Sequence, residues 1–173
     1  MMFWWLGYLI ASWLAADFLS GFWHWWEDRY ANESWPLIGK WIAKPNQLHH
    51  DQPLAFLDQG YWSRNWTTII PAAVAVALTL PNPICLVFVF VYQANEIHAW
   101  AHSKGKISTW VITLQEVGFF QSPRHHGAHH CSPFATKYCV MSNWLNPILD
   151  RMQLWRGLEW LVLKTTGIHS HTT

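Results

Sequence analysis

The stretch FWWLGYLIASWLAADFLSGFWHWWED, residues 3–28, reads as a membrane helix that ends in metal-binding chemistry. From Phe3 to Trp26 one charge, Asp17, interrupts an apolar run long enough to cross a ~30 Å hydrocarbon core at ~1.5 Å rise per residue. It lacks the basic start and small-residue cleavage site of a signal peptide, so a retained helix is expected. At its end His24 and Asp28 lie four residues apart and share a face. Asp17 and Gly21 continue that face towards the N-terminus. A carboxylate inside a span costs about 3 kcal/mol on insertion scales and is usually functional or paired, so Asp17 is expected to support a histidine N–H.

Composition agrees with a bilayer setting. Only 12% of the 173 residues are charged, against roughly 25% in soluble domains. The fifteen tryptophans suit the headgroup layer, where an apolar ring and one N–H donor are both accommodated. No composition break divides the chain, so a single membrane-embedded domain is expected over 1–167, followed by a short disordered tail, 168–173. His169 and His171 fall in that tail and are set aside. A formal charge of +1 and the absence of a basic stripe exclude nucleic acid as a partner. Three cysteines with no CxxC pair make a disulfide framework unexpected, and Cys131, although next to His130, is read as a core thiol.

Two further apolar stretches, Trp62–Leu80 and Ile84–His102, flank the break Pro81-Asn82-Pro83, which predicts a tight helical hairpin. The stretch 107–121 is shorter and carries Gln115 and Glu116, so it is expected to be interfacial or re-entrant. Tyr138–Leu163 reads as amphipathic, lying on the membrane or packed against the other helices. With three spans every lysine and arginine falls on one side, which the positive-inside rule makes cytoplasmic. The expected fold is an all-α integral membrane protein of about three transmembrane helices plus interfacial or re-entrant helices. A bacterial inner membrane, or an equivalent organelle membrane, is the expected location.

Nine of the eleven histidines stand in four clusters, all placed by that topology on the cytoplasmic side. These are His24 with Asp28, His49-His50, His98 with His102, and His125-His126 with His129-His130. His98 and His102 project from one helical face, with Asn95 one turn earlier. His126-Gly127-Ala128-His129-His130 places imidazoles at i, i+3 and i+4, while Asn46 stands where a first histidine would precede His49-His50. A closed zinc site needs four ligands and a catalytic one three, so this supply suits two metals. No HExxH is present to supply a zinc protease's glutamate base. Two irons that activate O2 fit best.

The clusters, in order with Ala16-Asp17-Phe18-Leu19-Ser20-Gly21, Pro53, Asn95-Glu96-Ile97, Pro123-Arg124 and Trp144-Leu145-Asn146, resemble the plasmanylethanolamine desaturase family. That family includes the plant plastid desaturase of phosphatidylglycerol and bacterial relatives. The likeness runs from about Ala15 to Gly167. It implies a membrane di-iron, O2-dependent lipid desaturase, whose namesake activity turns the sn-1 alkyl ether of an ethanolamine phospholipid into the vinyl ether of a plasmalogen. It also implies a metal set of His24, His49, His50, His98, His102, His126, His129 and His130. Asp28 falls at a matching acidic position, and His125 is a further ligand or supporting partner. Glu96 stands where an amide is expected and so joins Asp17 and Asn95 among the residues near the site.

An unactivated methylene has no acidic proton and no leaving group, so acid–base residues alone cannot desaturate it. No GxGxxG occurs to bind a flavin or nicotinamide. Electrons are therefore expected from an external donor such as a ferredoxin or a cytochrome b5-like protein. Two readings compete: a fatty-acyl desaturase or hydroxylase with the same metals, acting for example on phosphatidylglycerol, and a membrane electron-transfer protein with haem held by pairs such as His24 and His98.

Overall fold

Helix α1, Met2–Arg29, is ~42 Å long at helical rise and carries tryptophans at both ends. Trp4 and Trp5 are exposed at its start, and Trp23 near its end. The computed structural model describes residues 2–103 and 107–171, and among them there are helices and turns but no strand. Lys104 and Lys106, which enter the charge argument above, lie outside the described residues, as do the last two residues of the tail.

Within α1, Trp4–Arg29 is the one described helix long and apolar enough to cross a membrane, with mean hydropathy 1.2 over its best window. The other two expected spans take a different form. The second is α3, Tyr61–Thr79, whose first turns carry Ser63, Arg64 and Asn65 and which holds Pro71 inside. The third is two helices, α4 (Cys85–Val91) and α5 (Ala94–His102). The ladder tightens between them: the Gln93 N–H donates to Phe90 O at 3.0 Å, an i to i−3 bond. That step re-aims α5 relative to α4. The proline hairpin stands as expected, with Asn82 Oδ1 accepting from the Ile84 N–H at 3.0 Å.

A π-helical turn, Gly39–Ala43, leads into α2, Lys44–Asp51, and a 3-10 turn, Ala55–Asp58, precedes α3. Helix α6, Thr109–Glu116, is only ~12 Å long and cannot span. The chain turns back after it at Gly118, whose φ of 74° favours glycine. Then come α7 (Pro123–Gly127), α8 (Asn146–Arg151) and α9 (Leu154–Thr166).

Helix α4 packs against both α1 and α3. One apolar core joins Trp13 and Ala16 of α1 to Ile97, Val111, Phe120 and Met141. A second joins Trp25 and Tyr30 to Tyr138, Cys139 and Trp155. Of the two alternatives for the amphipathic stretch, the structure shows packing: Trp155 of α9 is buried in the second core, while Trp160 is exposed.

The stretch before α8 departs from a helical reading. Tyr138–Ser142 is non-helical and buried, and its backbone is satisfied by side chains, as buried peptide groups must be. Asp17 Oδ1 accepts from the Met141 and Ser142 N–H groups at 3.0 and 3.2 Å, and Ser20 Oγ accepts from Val140 at 3.2 Å. Asn146 accepts from the Cys139 N–H at 2.9 Å, and Gln121 donates to Cys139 O at 2.6 Å. Gly21 makes room for this segment: a Cβ there would lie 2.9 Å from Cys139 N. Over 168–171 the His171 N–H donates to Arg29 O at 2.8 Å and Arg29 donates to Ser170 Oγ at 3.2 Å. A guanidinium at a helix C-terminus can tether a polar tail that composition alone leaves free.

Candidate metal centre

Four short segments deliver the donors. The end of α1 presents His24 and Asp28, α2 presents His49 and His50, and α5 presents His98 and His102. Helix α7 and the turn after it present His126, His129 and His130. Ser122 starts α7 as an N-cap, accepting from the His125 N–H at 3.3 Å, and Pro123 occupies the first turn, where a missing N–H costs nothing.

The donors sort into two groups, each with its ligand atoms within 4.8 Å of one another. His49, His98, His102, His126 and His130 form the first, and His24, Asp28, His50 and His129 the second. In the first group Nε2 of His98 lies 2.8 Å from that of His126 and 3.3 Å from that of His102, and His126 lies 3.0 Å from His130. In the second, Asp28 Oδ1 meets His50 Nε2 at 2.9 Å, and Oδ2 lies 3.3 Å from His129 Nε2 without hydrogen-bond geometry.

Buried polar atoms without partners test whether metal fits. His24 Nε2, His129 Nε2, Asp28 Oδ2 and both ring nitrogens of His49 are buried and unpartnered. Each such atom costs about 1–3 kcal/mol when left so; a cation in the second group would satisfy His24 Nε2, His129 Nε2 and Asp28 Oδ2, and one in the first group would satisfy one ring nitrogen of His49. Outer partners fix the rings for that purpose. His24 Nδ1 faces Tyr138 O at 3.2 Å and His129 Nδ1 faces Thr136 O at 2.8 Å, so the N–H sits on Nδ1 and each Nε2 lone pair points inward. Burial, and then the neighbouring imidazoles, push His130 down to about 2 and hold His49 and His126 well below the ordinary histidine range. These rings are neutral at physiological pH, the state a ligand needs.

Of the residues expected near the site, all eight histidines and Asp28 fall in the two groups. His125 stands apart, its Nε2 3.1 Å from Asn146 Nδ2. Asp17 supports no histidine; its carboxylate holds the 140–142 backbone and accepts from Ser142 Oγ at 2.6 Å. Asn95 donates to Arg64 O at 3.0 Å, and Glu96 pairs with Arg64 at 2.8 Å, so both fasten α5 to α3. Cys131 is exposed and its thiol donates to Gly127 O. Asn46, noted only for its place in a weak repeat, donates to Asp28 Oδ1 at 2.7 Å and steadies the carboxylate of the second group. The Tyr138 and Thr136 carbonyls escape sequence reading because a backbone oxygen carries no residue signature. His126 Nε2 lies 2.8 Å from His98 Nε2 and its ring 6.4 Å from that of His24, so the His24–His98 pair stands within the imidazole cluster and not apart from it.

A cavity of about 620 Å³ opens beside the donors, reached by His24, His49 and His98. Polar residues gather near the donors: Glu27 follows His24 by about one turn, Arg64 lies over the Phe56 ring that packs on His49 and His98, and Lys40 and Gln59 also line the cavity, whose walls continue between α1, α3 and α4.

Helices that gather eight imidazoles and a carboxylate into two adjoining groups beside an apolar cleft define a histidine-rich metal-site protein of the membrane-desaturase kind. The chain belongs to the lipid desaturase family: the lipid desaturase domain matches residues 13–173. It is 31% identical to the mouse plasmanylethanolamine desaturase 1 over 92% of this chain and 65% of that one. It is 32% identical to a probable fatty acid desaturase of Acanthamoeba polyphaga mimivirus over 92% and 83%, and 29% identical to the plasmanylethanolamine desaturase of Myxococcus xanthus over 94% and 62%. It thus spans slightly under two thirds of the mouse and Myxococcus proteins. No solved structure matches the chain significantly.

Proposed function

We propose that this chain is a non-haem di-iron, O2-dependent lipid desaturase that forms the vinyl ether of plasmalogens from a 1-O-alkyl ethanolamine phospholipid. The observation that carries the reading is the pair of donor groups opening on one mostly apolar cavity. His49, His98, His102, His126 and His130 would hold one iron, and His24, Asp28, His50 and His129 the other. When bound, the irons supply the power to use O2 as oxidant against an unactivated C–H pair. Taking two hydrogens from the lipid while O2 becomes two waters needs two more electrons and two protons. The sequence has no GxGxxG to bind a flavin or nicotinamide, so the electrons would come from a ferredoxin or cytochrome b5-like donor at the cytoplasmic face.

The protein's own contribution is placement and exclusion of water. The donors sit at the polar end of the cavity, which favours oxidation of a bond close to the headgroup. Lys40, which also lines the cavity, offers a cation to a headgroup phosphate. Expression in a host that contains alkyl-ether lipids, against a His126→Ala control, tests the reading. Acid-labile vinyl ethers are expected with the unaltered chain only. Products bearing only an acyl double bond or a hydroxyl would overturn the plasmalogen assignment.

A further inference from the structure

The cavity has a direction. Its donor end is fixed by Phe56, whose ring lies 5.2 Å from His49 and 5.3 Å from His98, with the Arg64 guanidinium 5.8 Å over the same ring. From there α3 lines the wall from Ser63 to Ala75 and no further. Twelve helical rises make that wall ~18 Å, close to the ~15 Å of a single leaflet's hydrocarbon. At the far end the lining stops short of the hairpin, at Ala75 and Phe88. Ala75 stands one turn before the end of α3 and Phe88 one turn after the start of α4, so the antiparallel pair brings them to one level, just short of the proline turn. Two buried donors with unpartnered nitrogens, His24 and His49, look into the near end.

We infer that Ala75, with Ala72 one turn nearer the metals and Phe88 opposite, is the stop that sets the longest lipid chain the enzyme accepts. This rests on the desaturase reading and adds a determinant of chain length to it. A chain whose reacting bond sits at the donors must run its remaining carbons down this wall, and it can extend only until it meets Ala75 and Phe88. A larger side chain at 75 shortens the space without touching a donor. One methylene in an apolar pocket changes selection by about tenfold or more.

The test compares Ala75→Phe and the milder Ala75→Leu with unaltered protein and with Ala73→Leu, an exposed position off the cavity wall. Each is expressed in a host fed ether phospholipids of graded alkyl length. Native mass spectrometry reads the lipid retained on each purified protein. The expected result is an upper length limit lowered stepwise from Leu to Phe, with the longest-to-shortest product ratio down about tenfold, short-chain products retained, and Ala73→Leu unchanged. The retained lipid should shorten in parallel. An unchanged length profile in both Ala75 variants overturns the inference, as does equal loss of all lengths by a folded, metal-loaded Ala75→Leu. If the unaltered protein makes no desaturated lipid, the desaturase reading fails, and the length of the retained lipid alone decides the stop.

Discussion

Asp17 and Asp28 lie three turns apart on α1 and do different work: one satisfies a buried backbone, the other lies among imidazoles. Only the partner set tells them apart, which is why spacing along α1 places both near the metals while the structure places one. The same distinction separates His125 from its neighbours. Replacing His125 with alanine should leave the metal content intact, whereas His130→Ala should remove about one ion per chain, as read by elemental analysis of purified protein. Asn46→Ala, which frees Asp28, should weaken metal binding about 10- to 100-fold, the usual cost of removing an outer partner; competition with a chelator measures it.

At the scale of elements, histidine spacing makes the four donor segments legible, because i, i+4 pairs on helices need little tertiary context. Their sorting is not legible. His49 and His50, adjacent in sequence, point about 100° apart on a helix and serve different groups. The break between α4 and α5 is hidden in an apolar run without proline or glycine, and only packing reveals it. The buried Tyr138–Ser142 segment is hidden because its apolar residues look like a helix face, while its support comes from Asp17, Ser20, Gln121 and Asn146 on distant elements. Gly21 is the point at which that segment touches α1. Gly21→Ala should therefore lower stability by about 1–3 kcal/mol through overpacking, seen as a drop in Tm. By moving the Tyr138 carbonyl away from His24 it should also weaken metal binding, an effect that a change confined to the core would not have.

For the molecule as a whole, crowding of neutral imidazoles links stability to pH. His49, His126 and His130 titrate below the ordinary 6.5 in the folded, metal-free chain and near 6.5 when unfolded. As pH falls through 6.5 the unfolded state binds protons that the folded cluster refuses, so stability is full above that value and declines below it. Thermal unfolding of metal-stripped protein should show Tm falling steadily from pH 7 to pH 5, and a flat profile would refute the linkage.

His49 with His50, and His129 with His130, each divide between the two donor groups. An ion captured by one group therefore draws α2 and the turn after α7 into place for the other, and the second ion meets donors already ordered. Loading becomes cooperative, with the singly loaded chain a minor species. A metal titration followed by native mass spectrometry should pass from empty to doubly loaded protein, with little in between.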